Sequence, residues 1–296
     1  GEYVSDSTTL KKSTITKVQT DSDINPVECY YWFYKFTSLT DAQLSRLKEV
    51  AKGNNYCSLI NHMFDGCTSL KTVDLSNIKY DPNAPSGFDT SCMFKDCSSL
   101  VEVKLSKDIV SKIGSAYLKG IWKDAEGTPY TELATSGNNV GCVTKLGKVG
   151  STFKKAYKIT LNGLKDATIA YKGTKSVSTD ETATIYRVYD EVLKLSDYKP
   201  TKTDYEFVKW YKDSDTTKTP VTNIASTDTG DKTFVAEFKE VSNYWYASNG
   251  VLHLSKTKPS AWDSISETYK GTNYVRNTGE YVSDSTTLKK STITKV

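Results

Sequence analysis

Arginine is scarce in this chain. Only Arg46, Arg187 and Arg276 are arginine among its 39 basic residues, and the rest are lysine. A guanidinium group grips phosphates and base edges through two parallel hydrogen bonds, which a lysine cannot reproduce. The lysines are also scattered among Thr, Ser and Asp instead of being clustered. The formal net charge of +4 therefore does not indicate nucleic-acid binding, and we expect no nucleic-acid partner.

Long apolar runs and paired metal ligands are lacking too. No segment approaches the roughly 18 consecutive apolar residues of a membrane span, so we expect no membrane contact within these residues. The chain has six cysteines and two histidines but no Cys-x-x-Cys pair, whereas zinc sites usually place their ligands at that spacing. We predict neither a metal site nor a cofactor. Because Gly1 stands where a starting methionine would, we expect a fragment or a processed product.

Catalytic signatures are also missing. The sequence has no Gly-x-Ser-x-Gly motif, and its carboxylates are scattered, with no pair that can be assigned to glycosidase chemistry. His62 lies beside the expected core residue Met63, and His253 lies between two leucines. Structural or solvated roles are therefore favoured for both histidines. We predict no catalytic residue and no enzymatic activity.

The most informative feature is a duplication. Residues 1–18 are repeated without change as residues 279–296, so the two copies begin 278 residues apart. Self-similarity at a fixed period is typical of array and fibre proteins, whose units stack or are strung together. The sequence thus predicts one period, plus a short overlap, of a longer tandem-repeat protein.

A shorter repeat lies inside this period. The blocks 32–39, 63–70 and 93–100 start 31 and 30 residues apart, and the last two read Met-Phe-x-x-Cys-[Ser/Thr]-Ser-Leu. Each of these two continues as Leu-x-x-Val-x-Leu, which predicts a leucine-rich-repeat rung with its apolar side chains pointing inward. Buried thiols are favoured over disulfides for Cys67 and Cys97, since a free cysteine packs well in such a core. The oxidation states of the other cysteines stay open (Cys29, Cys57, Cys92 and Cys142).

Three further local elements are predicted around these blocks. Thr40 to Gln43 reads as a capping box, and Leu44, Leu47 and Val50 form a helical stripe, which predicts a helix over about 41–52. Residues 15–18 look like an initial strand, and a short helix is expected around 130–134.

The Met-Phe-Cys blocks resemble the BspA-type leucine-rich-repeat proteins of bacterial surfaces. Further along, residues 204–213 (Asp-Tyr-Glu-Phe-Val-Lys-Trp-Tyr-Lys-Asp) resemble the B-repeat of internalin-type surface proteins, although the two glycines of that motif are replaced by Asp204 and Lys209. This second resemblance implies a small β-grasp-like sheet with Phe207, Trp210 and Tyr211 in its core.

An aromatic hairpin is predicted at residues 244–254. Asn249-Gly250 suits the two positive φ angles of a type I′ turn between half-buried strands. BspA-like domains often begin with such a hairpin, so the resemblance implies that it caps the solenoid that follows.

The predicted fold class is therefore α+β, mainly β. It comprises a short leucine-rich-repeat solenoid at 1–142, a B-repeat-like β domain at 143–242, and the start, or cap, of the next solenoid at 243–296. Alternating apolar residues in the middle segment support the β assignment.

The predicted function is that of a structural repeat unit of a large tandem-repeat protein or fibre on the bacterial cell surface, serving reach or adhesion. Its partners are expected to be neighbouring copies, joined head-to-tail through 244–296 and the 1–142 solenoid, and host or bacterial surface proteins or glycans. The alternative is a ligand-specific adhesin or glycan-binding module that uses one face of the solenoid.

Overall fold

The structure of the chain is a computed structural model. It describes residues 11–26, 28–50, 58–80, 88–147, 152–171, 174–177, 181–203, 205–240, 244–249, 251–255, 258–260, 262–264 and 270–272. One α-helix occurs in these ranges, α1 (Lys107–Ser111), with 3₁₀ turns at Lys12–Thr14, Ile113–Ser115, Leu195–Tyr198 and Trp262–Ser264.

The strands are short except near the middle of the chain. The first eleven are β1 (Lys17–Gln19), β2 (Asp41–Gln43), β3 (Glu49–Val50), β4 (Ser58–Leu59), β5 (Thr72–Leu75), β6 (Lys79–Tyr80), β7 (Phe88–Asp89), β8 (Glu102–Leu105), β9 (Ile121–Lys123), β10 (Pro129–Tyr130) and β11 (Thr152–Asn162). The others are β12 (Ala167–Tyr171), β13 (Thr174–Val177), β14 (Thr182–Val188), β15 (Leu193–Lys194), β16 (Pro200–Lys202), β17 (Tyr205–Lys212), β18 (Asn223–Ile224), β19 (Lys232–Glu240), β20 (Tyr244–Ser248), β21 (Val251–Ser255) and β22 (Lys270–Thr272).

The 30-residue repeat produces a parallel ladder of strands. β1, β2, β5 and β8 pair in parallel, so that Ala42, Val73 and Val103 lie in one row and are buried. Two shorter parallel pairs, β3 with β6 and β4 with β7, join the same repeats. Since equivalent residues stack in register, each apolar residue of the repeat becomes one step of a continuous core.

The turn side of each repeat is also stacked. Phe33, Phe64 and Phe94 form a pile in which neighbouring ring centroids are 5.3 and 6.0 Å apart. Backbone hydrogen bonds join the same turns, from Phe33 N to Met63 O at 2.9 Å and from Phe64 N to Met93 O at 3.0 Å. We call the parallel strands, with these turns, the repeat ladder.

The helix predicted over 41–52 is wrong. Residues 41–43 and 49–50 are β2 and β3, and 51–52 lie outside the described residues. Leu44, Leu47 and Val50 are buried as the stripe required. However, Leu44 N donates to Asp74 O at 2.9 Å and Lys48 N to Ile24 O at 3.0 Å, both in neighbouring repeats. Leu47 N donates to Leu44 O at 3.0 Å, which closes a single turn between β2 and β3 and not a helix.

Two other local predictions need correction. No helix forms at 130–134: Tyr130 belongs to β10, which pairs with β9, and Ala134 N donates to Cys142 O at 2.9 Å. A β-hairpin partner takes the hydrogen bonds that a helix would have used. The initial strand expected at 15–18 is β1, two residues further along at Lys17–Gln19.

The predicted fold class, α+β with a leucine-rich-repeat solenoid, a β-grasp-like domain and a capping hairpin, is wrong. The described residues are mainly β, and α1 has five residues. The sheet that contains β5 and β8 is mixed, since these two strands pair in parallel while β8 and β11 pair antiparallel. A solenoid sheet is parallel throughout, whereas β11 pairs antiparallel with β8 and with β9.

The chain divides into two compact units. Unit 1 comprises Gly1–Lys158, Tyr186–Val192 and Ala225–Asp231. Its two outlying segments are held by Arg187, whose side chain is 1% exposed. The guanidinium donates to the carbonyls of Glu191 at 3.0 Å and Ala225 at 3.3 Å, and to that of Asp228, and it lies 5.3 Å from the centre of the Tyr157 ring.

Unit 2 comprises Ile159–Ile185, Leu193–Ile224 and Lys232–Val296. β19 pairs with β17 antiparallel around Trp210, which is buried and packs 5.5 Å from Phe207 between ring centroids. The core role expected for Tyr211 is wrong, because adjacent strand residues point to opposite faces and its ring lies under Lys218.

The predicted hairpin is a small sheet of its own. β20 and β21 pair antiparallel around Ser248 and Val251, with Asn249 at φ 52°, and β22 pairs with the other side of β20. Tyr246 stacks on His253 with ring centroids 4.3 Å apart.

Candidate functional site

The end of the first duplicated copy lies in the outermost described strand of the repeat ladder, because Lys17 and Val18 belong to β1. Among the described residues β1 pairs only with β2, and Ile15 and Val18 pack against the core of unit 1. Thr40 fixes the strand from the next repeat by donating its backbone N–H and its hydroxyl to Thr16 O, at 2.8 and 2.9 Å. Residues 11–18, the described part of the first copy, therefore have a defined place in the fold. The second copy, 279–296, lies outside the described residues.

The outward side of these strands, which we call the strand face, is polar and internally paired. Across β1, β2, β5, β8 and β11, Lys17, Asp41, Thr72, Glu102 and Lys154 form one row. Lys17 Nζ lies 3.7 Å from Asp41 Oδ2, and Lys154 Nζ lies 3.7 Å from Glu102 Oε2. In the next row, Lys104 Nζ lies 3.9 Å from Asp74 Oδ2. Because each charge already has an opposite neighbour, this face offers little to a charged ligand.

Asp41 is the best-connected carboxylate of the strand face. It accepts hydrogen bonds from Thr72 Oγ1 at 2.5 Å and Gln43 Nε2 at 2.7 Å. Partial burial acts to raise the pKa of Asp41, but these hydrogen bonds and the charge of Lys17 outweigh it and hold the pKa below its ordinary value. The row is consequently a stabilising network that is complete without a ligand.

Aromatic side chains cluster on the turn side of the first two repeats. We call Tyr30, Tyr31, Tyr34 and His62 the aromatic patch. Tyr31 lies at its centre, 4.7 Å from Tyr30, 5.0 Å from Tyr34 and 4.7 Å from His62 between ring centroids. Tyr30 is 42% exposed, and the other three are half-buried.

The backbone beneath the aromatic patch is strained. Tyr31 and His62 have φ angles of 57° and 54°, a region that bulky residues seldom occupy. His62 Nδ1 lies 2.7 Å from Oδ2 of the buried Asp65, which fixes the imidazole against the Tyr31 ring. A rigid aromatic surface of this kind suits the face of a sugar ring or a cation.

The cysteines of the repeats are free thiols. Cys67 Sγ donates to Phe33 O at 2.9 Å, and Cys97 Sγ donates to Phe64 O at 3.2 Å. Burial raises the pKa of Cys67 to about 12 and that of Cys97 well above its ordinary value. The preference for packed thiols at these two positions is confirmed. Cys29, Cys92 and Cys142 are also free, and Cys57 lies outside the described residues.

No catalytic residue was predicted from the sequence, and the two histidines fall in separate structural settings. His62 belongs to the aromatic patch, and His253 stacks on Tyr246 in the β20–β21 hairpin. Within the described ranges, no group of three or more His, Cys, Asp or Glu residues is placed to hold a metal ion. No helix in those ranges is long and apolar enough to cross a membrane.

The aromatic patch was missed by the sequence analysis. Its signal, three tyrosines within five residues followed by His62 in the next repeat, is visible once the repeats are aligned. Neither a family model nor a curated protein matches this chain.

Proposed function

We propose that this chain is a structural repeat unit of a large tandem-repeat protein at the bacterial cell surface, joined head-to-tail and serving reach or adhesion. The observation that carries the proposal is the place of the duplicated segment. Its first copy contributes Lys17 and Val18, two of the three residues of β1, the outermost described strand of the repeat ladder. An identical segment 278 residues later has the same strand-forming residues and the same apolar side chains to bury.

The two copies of the segment carry the same residues and should bind the same surface. Lys17 and Val18 of β1 recur as Lys295 and Val296, and Ile15 recurs as Ile293. Whatever free energy Ile15 and Val18 gain by packing on the ladder is available to Ile293 and Val296 on another ladder. Pairing of the second copy with a following ladder is a head-to-tail contact, and such contacts propagate as an open array.

Deletion chains test the proposal. We would compare the full chain with residues 1–278, 19–296 and 19–278. The chain 19–296 has an unoccupied β2 edge and keeps the second copy, so light scattering should show assemblies that grow with protein concentration. The chain 1–278 should stay monomeric, since β1 fills its own edge and the second copy is gone.

The chain 19–278 is the matched control, because it lacks both copies. It should neither assemble nor reach the stability of 1–278, with a loss of about 1–2 kcal/mol from the exposed β2 edge and the unfilled core. If 19–296 and 19–278 gave the same size distribution, the duplicated segment would not be the joint.

A ligand-specific adhesin is the second candidate, and the aromatic patch is the observation that favours it. The strand face has its charges paired, so the turn side is the better working surface. Replacing Tyr30 and Tyr34 by alanine should abolish binding on an array of glycans and matrix proteins. An array with no binding above background for the unaltered chain would count against this function.

A further inference from the structure

A set of lysines without acidic partners lines two adjoining cavities of unit 1. The cavities have volumes of about 530 and 570 Å³, and they share Lys155 and Ser98 as wall residues. Lys95 and Lys119 line the first cavity, and Lys71 lines the second. We call the two cavities together the lysine groove.

The charge in the lysine groove is not neutralised by the protein. Among the described residues, none of these four lysines forms an ion pair with a carboxylate, and the walls contribute a single acidic side chain, Asp96. Burial, together with the neighbouring charge of Lys119, lowers the pKa of Lys155. A half-buried ammonium group without a counter-charge is costly to the fold. Such a group in a cleft is a candidate for a site that an anionic ligand would complete.

The site is built on fixed backbone. Lys155 lies on β11, where its N–H donates to Val101 O and its carbonyl accepts from Tyr189 N, both at 2.8 Å. Gly120 leaves room for the Lys155 side chain, because a Cβ at that position would lie 3.3 Å from Lys155 Cε. The wall formed by Tyr189, Thr227 and Thr229 is held in place by the buried Arg187.

The remaining polar wall groups are mainly hydroxyls, set among apolar residues such as Phe94, Val101 and Val140. Ser98, Ser99, Tyr189, Thr227 and Thr229 surround the second cavity, and Tyr117 and Asn138 face the first. Hydroxyl and amide groups exchange hydrogen bonds readily with sugar or polyol hydroxyls, while the ammonium groups attract oxyanions. Each cavity has room for more than a single small anion.

We propose that the lysine groove binds a polyhydroxylated polyanion, that is, an acidic glycan or a polyol-phosphate polymer. This goes beyond the role of a repeat unit, since it gives that unit a ligand of defined chemistry. A nucleic acid fits less well, because the groove has lysines in place of arginines and presents hydroxyls in place of rows of exposed aromatic rings.

Binding to the full chain would be measured by fluorescence anisotropy with four labelled oligomers of similar length. These are a sulfated glycan, a polyglycerol phosphate, a neutral dextran and a single-stranded oligonucleotide. We expect the first two to bind, with affinity that falls between about 50 and 200 mM salt, and the dextran to bind much more weakly. The stronger of the two polyanions identifies the source of the ligand.

The decisive comparison is between two charge-matched double variants. Lys119→Gln with Lys155→Gln alters the groove, whereas Lys104→Gln with Lys154→Gln removes the same charge from the strand face. The groove variant should weaken binding at least about tenfold and the strand-face variant by less than about twofold, because Lys104 and Lys154 are already paired with Asp74 and Glu102. Circular dichroism would verify that both variants are folded.

Equal losses from the two double variants would overturn the proposal, because net charge alone would then account for binding. So would the absence of binding to either polyanion, or an oligonucleotide that binds as tightly as the glycan. None of these three results would bear on head-to-tail assembly, since the groove lysines lie outside the duplicated segments and light scattering of the deletion chains reports assembly separately.

Discussion

Lys154 and Lys155 are neighbours on β11, yet they belong to two contrasting regions of unit 1. Successive strand residues point to opposite sides, so Lys154 joins the strand face, where Glu102 neutralises it, and Lys155 enters the lysine groove, where no carboxylate does. Two lysines on the same strand therefore differ in their surroundings. The charge of Lys154 is balanced by a carboxylate of the protein, and that of Lys155 is not. The difference shows that a site is marked by charge that the fold leaves unbalanced, not by charge as such.

Both regions depend on one scaffold, and the largest expected effect comes from breaking it. Phe64 is fully buried in the middle of the phenylalanine pile. Phe64→Ala should lower the free energy of unfolding by about 3–5 kcal/mol, because a cavity is left between two repeats. Urea unfolding would measure the loss, with the exposed Thr68→Ala as a control that should be near neutral. A loss below about 1 kcal/mol for Phe64→Ala would mean that the repeats are not coupled through this pile.

The comparison between the two lysines can be tested directly on stability. Lys155→Met should stabilise the fold, by up to about 1 kcal/mol, because it removes a half-buried charge without a partner and keeps the aliphatic stem. Lys154→Met should be neutral or slightly destabilising, since it removes an ion pair on a partly exposed face. Thermal unfolding at neutral pH would measure both. Equal changes in melting temperature for the two variants would show that Lys154 and Lys155 do not differ in how well their charges are balanced.

The pH dependence of the same variants sharpens the point. The folded-state pKa of Lys155 is lower than its unfolded value of about 10.5, so the unfolded chain binds more protons between these two values. This group therefore makes stability rise with pH across that window. Lys155→Met should lack the rise, whereas Lys154→Met should retain it.

The smallest expected effect concerns Asp41 on the strand face. Its folded-state pKa lies below the ordinary value of 3.8, so its contribution to stability is present above that pH and is lost as the pH falls through the lowered pKa. Asp41→Asn should cost roughly 0.5–1 kcal/mol at pH 7 and less near pH 2. Urea unfolding at the two pH values would test it. A constant difference would mean that packing, not charge, sets the effect.

The repeat register could be predicted from the sequence, because alignment of the blocks brings distant residues together without further information. Val73 and Val103 are opposite each other, and Cys67 and Cys97 occupy equivalent positions, buried and half-buried, as a 30-residue period requires. Leu44, Leu47 and Val50 show where this approach fails. The spacing of these three residues is compatible with a helix and also with the bend between β2 and β3. The sequence does not show which of the two forms, because that depends on hydrogen bonds to neighbouring repeats.

The lysine groove could not be predicted from the sequence. Its walls come from segments around 71, 98, 119, 155, 189 and 227, which share no motif. Lys154 and Lys155 are indistinguishable in the sequence until the pairing of β11 assigns them to opposite sides. The aromatic patch is intermediate in how well the sequence predicts it. Alignment of the repeats brings its residues side by side, but the patch has no sequence motif of its own.

The nearest-neighbour stacking of the repeat ladder has a mechanical consequence. β1 is three residues long and is held by one partner strand, so a pulling force on the chain ahead of it would detach this strand before the repeats behind it. Each further repeat would then yield separately, releasing about 30 residues, or on the order of 100 Å of extended chain. A tandem array of such units would therefore unfold under force in a series of small extensions, and not in one cooperative event.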